Sequence, residues 1–215
     1  MKIFAYNASP RKNWNTAMLL ESVLDGAESA GAQTKLVHLY DLNYRGCTSC
    51  FACKLKGGNS FGKCAMQDDL TPVLADVLEA DAVIFGSPIY FGNVTGELRS
   101  FLERLWFPYL VYTKKDDRSL FPKTLKTLFV YTMNAPEAAI KPMKLDEMLS
   151  GNERISSMLF KNDSSSYYCA ETLQFSDYSK YAVDMFNVEE RLKRREEVFP
   201  VQQKELYEMG RKMAI

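Results

Sequence analysis

Four of the five cysteines fall in one stretch, CTSCFACKLKGGNSFGKC, at Cys47, Cys50, Cys53 and Cys64. Their C-x2-C-x2-C start suits an iron–sulfur cluster, and four thiolates also suit zinc. The long glycine-containing run Lys54 to Lys63 separates the fourth cysteine from the third, so free or redox-active thiols are the third option. A second chemical stretch is Asn7 to Thr16, NASPRKNWNT. It carries Arg11 and Lys12, several side-chain donors and no carboxylate, the first acidic residue being Glu21. Ser9, Asn15 and Thr16 beside Arg11, at a helix N-terminus with its unpaired N–H groups, make a phosphate site. The same residues also make an ordinary helix-capping turn. The loop lacks glycine, so it is neither a dinucleotide-binding turn nor a Walker A loop.

The elements that must hold these loops follow from periodicity. Lys2 to Tyr6 reads as a strand, and a helix starts near Asn15 with Leu19, Val23 and Ala27 on one stripe and a stop at Gly31. Lys35 to Tyr40 alternates as a second strand. Asp68 or Asp69 caps a helix through Ala80 with Pro72 in its first turn. Ala82 to Phe85 is continuously apolar, as in a strand covered on both faces. A helix follows, with Leu98, Phe101, Leu102, Leu105 and Trp106 on one face. Leu125 to Thr132 makes a fourth strand, and Glu137 to Leu159 a helix interrupted around Gly151. Tyr167 to Phe175 makes a fifth strand. Glu189/Lys193 and Glu190/Arg194 suit i,i+4 pairing on a solvated helix, and Leu206, Met209 and Met213 form a stripe after Pro200.

Strand and helix therefore alternate as in a three-layer α/β/α sandwich on a parallel sheet, whose ligand sits beyond the carboxyl ends of the strands. That directs attention to loops 7–16, 87–94 and 133–137. One domain over residues 1–215 is expected, with the cysteine loop at 41–67 and additional helices at 186–215. Lys plus Arg and Asp plus Glu each total 27, so no net field recruits nucleic acid or an anionic membrane. No run approaches the roughly 18 apolar residues of a membrane span. The start MKIFAYNASP lacks the pattern of a signal peptide, so a cytoplasmic protein with reduced thiols is expected. The one histidine, His38, falls mid-strand and reads as structural.

SPRKNWNT resembles the S-P-R-K-x-x-N-T phosphate loop of the NADPH-dependent FMN reductase family, a flavodoxin-like group that includes iron–sulfur flavoproteins. CTSCFAC…GKCAMQDDL, GSPIYFGNVTGELRSFLERL and TLQFSDYSKY match the family in the same order. The resemblance implies a five-stranded parallel sheet of order 2-1-3-4-5. It carries the FMN phosphate onto Ser9, Arg11, Asn13, Asn15, Thr16 and Ala17, and the flavin ring onto Pro88, Ile89, Tyr90, Phe91, Gly92 and Asn93. Ile89, Tyr90 and Phe91 would supply a flat apolar wall, Gly92 close backbone approach, and Asn93 an amide. Asn134, in the loop that ends the fourth strand, is a further flavin contact. Trp14 departs from the family pattern, with packing over the loop or against a neighbouring subunit as its expected role and flavin stacking as a second.

The function so implied is an FMN-containing oxidoreductase. NAD(P)H would pass hydride to flavin N5, and a small-molecule acceptor such as a quinone or free flavin would take it on. No protein side chain is expected to act as the catalyst, because the flavin carries the chemistry. Two alternatives stand beside it: an iron–sulfur flavoprotein relaying electrons through a [4Fe–4S] cluster on the four cysteines, and a non-enzymatic thiol or zinc redox sensor. The family further implies a homodimer or homotetramer, with Phe107, Tyr109, Tyr112 and Phe121 as contact or core residues.

Overall fold

Ala82-Val83-Ile84-Phe85 has no side that faces water: all four residues are buried. In the computed structural model, which describes residues 1–215, they open the central strand of the sheet. The elements run β1 (Lys2–Asn7), α1 (Asn15–Ser29), β2 (Gln33–His38), α2 (Leu70–Glu79), β3 (Ala82–Pro88) and α3 (Gly96–Tyr109). They continue with β4 (Lys126–Thr132), α4 (Leu145–Phe160), β5 (Ser164–Cys169), α5 (Val188–Glu197) and α6 (Phe199–Met213). The strands pair in parallel in the order β2-β1-β3-β4-β5, the expected flavodoxin-like topology.

The period of two along each strand sorts side chains into two cores. Ile3, Ala5, Ile84 and Leu128 pack with Leu19, Leu20 and Val23 of α1 and Phe199 and Leu206 of α6. Phe4, Tyr6, Val83, Phe85 and Phe129 face α2, α3 and α4. On that side the rings of Tyr6, Phe85 and Phe129 run across three strands with centroids 5.5 and 5.2 Å apart. Burial holds the Tyr6 hydroxyl well above the usual phenol range.

Four local readings shift. β2 begins at Gln33, and Leu39–Asp41 is a 3-10 turn rather than strand. The helix expected from Glu137 is broken at residues 140–144, where Lys144 is left-handed (φ 55°), and runs unbroken through Gly151. The buried stripe Leu145, Leu149, Asn152, Ser156 and Leu159 outweighs one glycine there. β5 starts at Ser164 and ends at Cys169; as an edge strand it tolerates a serine-rich start, and Ala170 onward leaves the sheet. The pairs expected inside α5 do not form: Arg194 reaches Glu171 at 3.2 Å and Lys193 pairs with Glu197 at 3.9 Å. At the head of α2, the Asp68 carboxylate accepts from Leu70 N at 3.1 Å, whereas Asp69 accepts from Asn43 N. Tyr109 and Phe121 are core residues in edge-on contact, Phe107 is half-buried and Tyr112 is exposed. No helix is long and apolar enough to cross a membrane.

Candidate functional site

The loops after β1, β3 and β4 meet at a cavity of about 160 Å³. Ser9, Arg11, Asn15, Thr16, Pro88, Ile89, Tyr90 and Asn134 line it, together with Trp14, Thr132, Met133 and the segment Thr172–Gln174. Asn13, Ala17, Phe91, Gly92 and Asn93 do not. The lining holds no carboxylate and no imidazole.

The first loop is built from its own side chains. Asn7 Oδ1 accepts from Ser9 N at 3.0 Å, and Ser9 Oγ accepts from Arg11 N at 3.1 Å. The chain enters α1 at Trp14 in extended backbone, with no side-chain cap and no acid in the first turn. The first helical bond runs from Met18 N to Trp14 O, so the N–H groups of Asn15, Thr16 and Ala17 have no protein acceptor. Three unpaired donors on buried residues at a helix N-terminus are an arrangement that favours an anion. Ala17 offers an unpaired backbone N–H at the helix start but does not line the cavity.

The side-chain donors are arranged differently from the sequence reading. Trp14 Nε1 and Asn15 Nδ2 both donate to Leu173 O at 2.9 Å, and one Arg11 nitrogen donates to Gln174 O. Thr16 Oγ1 bonds Thr132 Oγ1 at 2.8 Å, tying the loop to β4. A strap, residues 170–174, therefore occupies donors that sequence assigned to a ligand, leaving Arg11 four of its five N–H groups. The strap is the part of the site that sequence reasoning missed, because Tyr167 to Phe175 read as strand. Its signal was the match of TLQFSDYSKY to the family. It is pinned to the third loop as well: Glu171 N donates to Ala135 O at 3.1 Å and Thr172 N to Met133 O at 3.0 Å.

In the second loop Phe91 and Gly92 both have positive φ, 52° and 80°. Tyr90 and Asn93 exchange backbone bonds of 2.8 and 3.1 Å around them, the pattern of a tight two-residue turn. Glycine suits that geometry; Phe91 adopts it under strain of about 1 kcal/mol and projects wholly into solvent. Ile89 and Tyr90 form the apolar wall. The Asn93 amide oxygen accepts from Val94 N instead of facing the cavity. In the third loop Asn134 Nδ2 donates to Gln174 Oε1 at 2.8 Å, while Asn134 Oδ1 is buried with no partner. His38 is paired with Asn7 Nδ2 at 3.0 Å, a structural role at the end of β2.

The donor set suits a phosphorylated flavin. The phosphate matches the three free N–H groups and Arg11, the ring matches Ile89 and Tyr90, and a ring N–H matches the orphaned Asn134 Oδ1. The family model for NADPH-dependent FMN reductase matches residues 1–135. The chain belongs to the NADPH-dependent FMN reductase family. Among relatives of this FMN reductase family member, an iron–sulfur flavoprotein of Archaeoglobus fulgidus is 40% identical over 104 residues, covering 48% of each chain. One of Methanocaldococcus jannaschii is 35% identical over 104 residues, covering 48% of this chain and 51% of the relative. The chain thus spans about half the length of the curated relatives it matches. The NAD(P)H:quinone oxidoreductase of Methanothermobacter marburgensis has a similar structure, with TM-score 0.71, 14% identity and coverage of 100% and 98%. So has an FMN-dependent NADH-azoreductase of Bacillus anthracis in complex with FMN, with TM-score 0.67, 14% identity and coverage of 100% and 99%. At such identities the likeness shows the fold.

The cysteines of this family member converge elsewhere. Cys47, Cys50, Cys53 and Cys64 line one cavity of about 20 Å³ with Glu103, Arg104 and Phe107 of α3. No three Cys, His, Asp or Glu side chains are grouped closely enough to hold a metal ion. This cavity shares no residue with the 160 Å³ one. Arg104 to Phe107 lies about 12–16 Å along α3 from Gly96, the end beside the second loop. Lys54 anchors the cysteine loop by donating to Phe107 O, Pro108 O and Leu110 O at the carboxyl end of α3, where a cation is favoured. Burial raises the Cys53 thiol. The fifth cysteine, Cys169, is buried under Gln202 at 2.8 Å, and burial pushes its thiol up to about 12.

Alkylation by iodoacetamide at pH 8 should therefore mark exposed Cys50 first, Cys47 and Cys64 next, and Cys53 and Cys169 last. The Cys169 thiol ionises only as pH rises toward 12, above its unfolded value, so it stays protonated and inert at pH 8. Peptide mass spectrometry over time checks the order, and early labelling of Cys169 would contradict it.

Proposed function

We propose that the protein is an FMN-dependent NAD(P)H oxidoreductase that passes hydride from a nicotinamide to bound FMN and on to a quinone, free flavin or similar electron-poor acceptor. The cavity between the three loops carries this reading, lined by Asn15 and Thr16, two of the three α1 residues with unpaired N–H groups, and by Asn134 with its unpaired Oδ1. FMN, when bound, supplies the two-electron chemistry. The chain's residues bind and orient. The α1 N-terminus and Arg11 take the phosphate, Ile89 and Tyr90 shield one apolar face from water, and Asn134 accepts from a ring N–H. The lining has no carboxylate or imidazole.

Titration with FMN followed by flavin fluorescence tests the assignment. Replacing Arg11→Ala and Thr16→Val together should weaken FMN binding by about tenfold or more, the loss of at least one charge-assisted contact. Unchanged affinity would place the phosphate elsewhere. Bleaching of the bound flavin by NADPH or NADH without oxygen, followed by candidate acceptors, then identifies both co-substrates.

A second reading is an iron–sulfur flavoprotein relaying single electrons through a [4Fe–4S] cluster; the four cysteines line one cavity, although no three of them are grouped closely enough there to hold a metal ion. The names of the curated relatives support it. Anaerobic reconstitution with iron and sulfide, read by a broad visible absorption beyond the flavin bands, decides between the two. Protein that stays colourless and takes up no FMN leaves a thiol or zinc redox module. A homodimer or homotetramer is part of the proposal, supported by the wholly exposed Phe91 and exposed Tyr112. So is a cytoplasmic setting, which suits five free cysteines.

A further inference from the structure

Helix α5 docks without an apolar face. Arg191 is its one buried residue, and Leu192 is exposed. A helix that buries no hydrocarbon side chain gains little from the usual driving force for docking. Its attachment rests largely on arginine contacts; Arg195 packs over the Phe199 ring at 4.0 Å and reaches Met18 Sδ at 2.9 Å, and other contacts end on the loops that form the 160 Å³ cavity.

Arg195 Nη1 donates to Asn15 Oδ1 at 2.9 Å, which fixes the amide so that its Nδ2 faces Leu173 O. Asn15 is the first residue of α1, and its backbone N–H is one of the three unpaired donors. Arg195 also lies 5.9 Å from the centre of the Trp14 ring, and Arg11 lies 5.7 Å from the same ring. Two guanidinium groups thus flank the indole that begins the helix. Burial lowers the Arg195 guanidinium from its ordinary value, yet it stays charged at any physiological pH.

Arg191 acts one loop away. Its Nη2 donates to Asn134 O at 3.1 Å, and its Nη1 lies 3.3 Å from Glu171 Oε1. Arg194 meets the other oxygen of Glu171 at 3.2 Å. Glu171 has a left-handed backbone (φ 56°), an unfavourable conformation for a residue with a side chain, which the two arginines hold in place. The strap is therefore gripped from both sides: α5 holds Glu171, and the first loop holds the carbonyls of Leu173 and Gln174.

We infer that α5 is a clasp on the cofactor cavity, with Arg195 the positioning residue for its anion end and Arg191 the positioning residue for the Asn134 wall. Neither lines the cavity; each orients a group that does. The inference rests on the FMN reading above and names which residues outside the family-matched segment, residues 1–135, complete that site.

The two roles separate by ligand. FMN and riboflavin share a ring and differ by the phosphate. Arg195→Gln should weaken FMN by about tenfold, the worth of one hydrogen bond to a charged group, and leave riboflavin within about twofold. Arg191→Gln should weaken both flavins by a similar factor, because it loosens the wall rather than the anion end. Arg195→Lys, which keeps the cation, should recover part of the FMN preference. Exposed Arg211→Gln is the control, since Arg211 pairs only with Glu208.

Dissociation constants from flavin fluorescence, with circular dichroism of each apo variant, provide the readout. An Arg195→Gln protein that binds FMN like the wild type, or loses both flavins equally, overturns the inference. Should Arg195→Gln fail to fold, Arg195→Lys decides: an FMN-to-riboflavin preference identical to the wild type overturns the inference, and a reduced one supports it. Wild-type protein that binds neither flavin overturns the FMN reading itself.

Discussion

Arg104→Met should lower the free energy of unfolding by about 3 kcal/mol, at the low end for breaking a buried ion pair by removing one partner. The Arg104 side chain is wholly buried and pairs with Asp68 at 2.5 Å. It also donates to Arg45 O at 3.2 Å, so it joins the early part of the cysteine loop to α2 and α3. Burial alone would pull the guanidinium down, but Asp68 and Cys64 beside it reverse the direction. Removing Arg104 strands a carboxylate that still reaches water, since Asp68 is 19% exposed. Asp68→Asn should cost at least as much, because it strands a cation that reaches no water. Urea unfolding with unchanged slope measures both. A loss below about 1 kcal/mol for Arg104→Met would show the pair to be no better than a surface one.

Gly26→Ala and Gly210→Ala should each destabilise the protein, although both glycines sit inside helices where alanine is intrinsically better by about 1 kcal/mol. A Cβ on Gly26 would lie 1.9 Å from Tyr207 O, and one on Gly210 would lie 1.9 Å from Val23 O. The contacts are reciprocal between α1 and α6, and backbone cannot yield as a side-chain tip does. Overpacking of this kind costs about 1–3 kcal/mol or more after the propensity gain, as the helices are forced apart. The double variant should cost less than the sum, since the first separation makes room for the second Cβ. Thermal unfolding of the three variants tests this, and a stabilised Gly26→Ala would refute the close approach.

Much of the fold was legible because it rests on local pattern. The continuous apolar run at Ala82–Phe85, the stripe on α1 and the alternation of strands with helices are read over a few residues, and they yield a parallel sheet; its order followed only from the family resemblance and is the one observed. Boundaries failed where tertiary packing overrode propensity. Gly151 does not interrupt α4, because the buried stripe on both sides carries the helix through. Tyr167–Phe175 carries strand-favouring residues at Tyr167, Tyr168, Thr172 and Phe175, yet only β5 finds a neighbour to pair with, and the remainder becomes the strap.

The sequence by itself determined the loop chemistry. A carboxylate-free turn at a helix N-terminus, an apolar turn containing glycine after the central strand, and four clustered cysteines are all statements about residue type and short spacing. The tertiary structure alone decided which donors remain free. Asn15 meets Arg195 across 180 positions and Leu173 across 158, and no short window holds such partners. Side-chain amides and guanidinium groups bond whatever the fold brings within about 3 Å, so the strap took donors that composition assigned to a ligand. The backbone N–H groups of Asn15, Thr16 and Ala17 were left for the anion. Helix geometry leaves the first N–H groups unpaired in any sequence, and the fold decided that no side chain would cap these three.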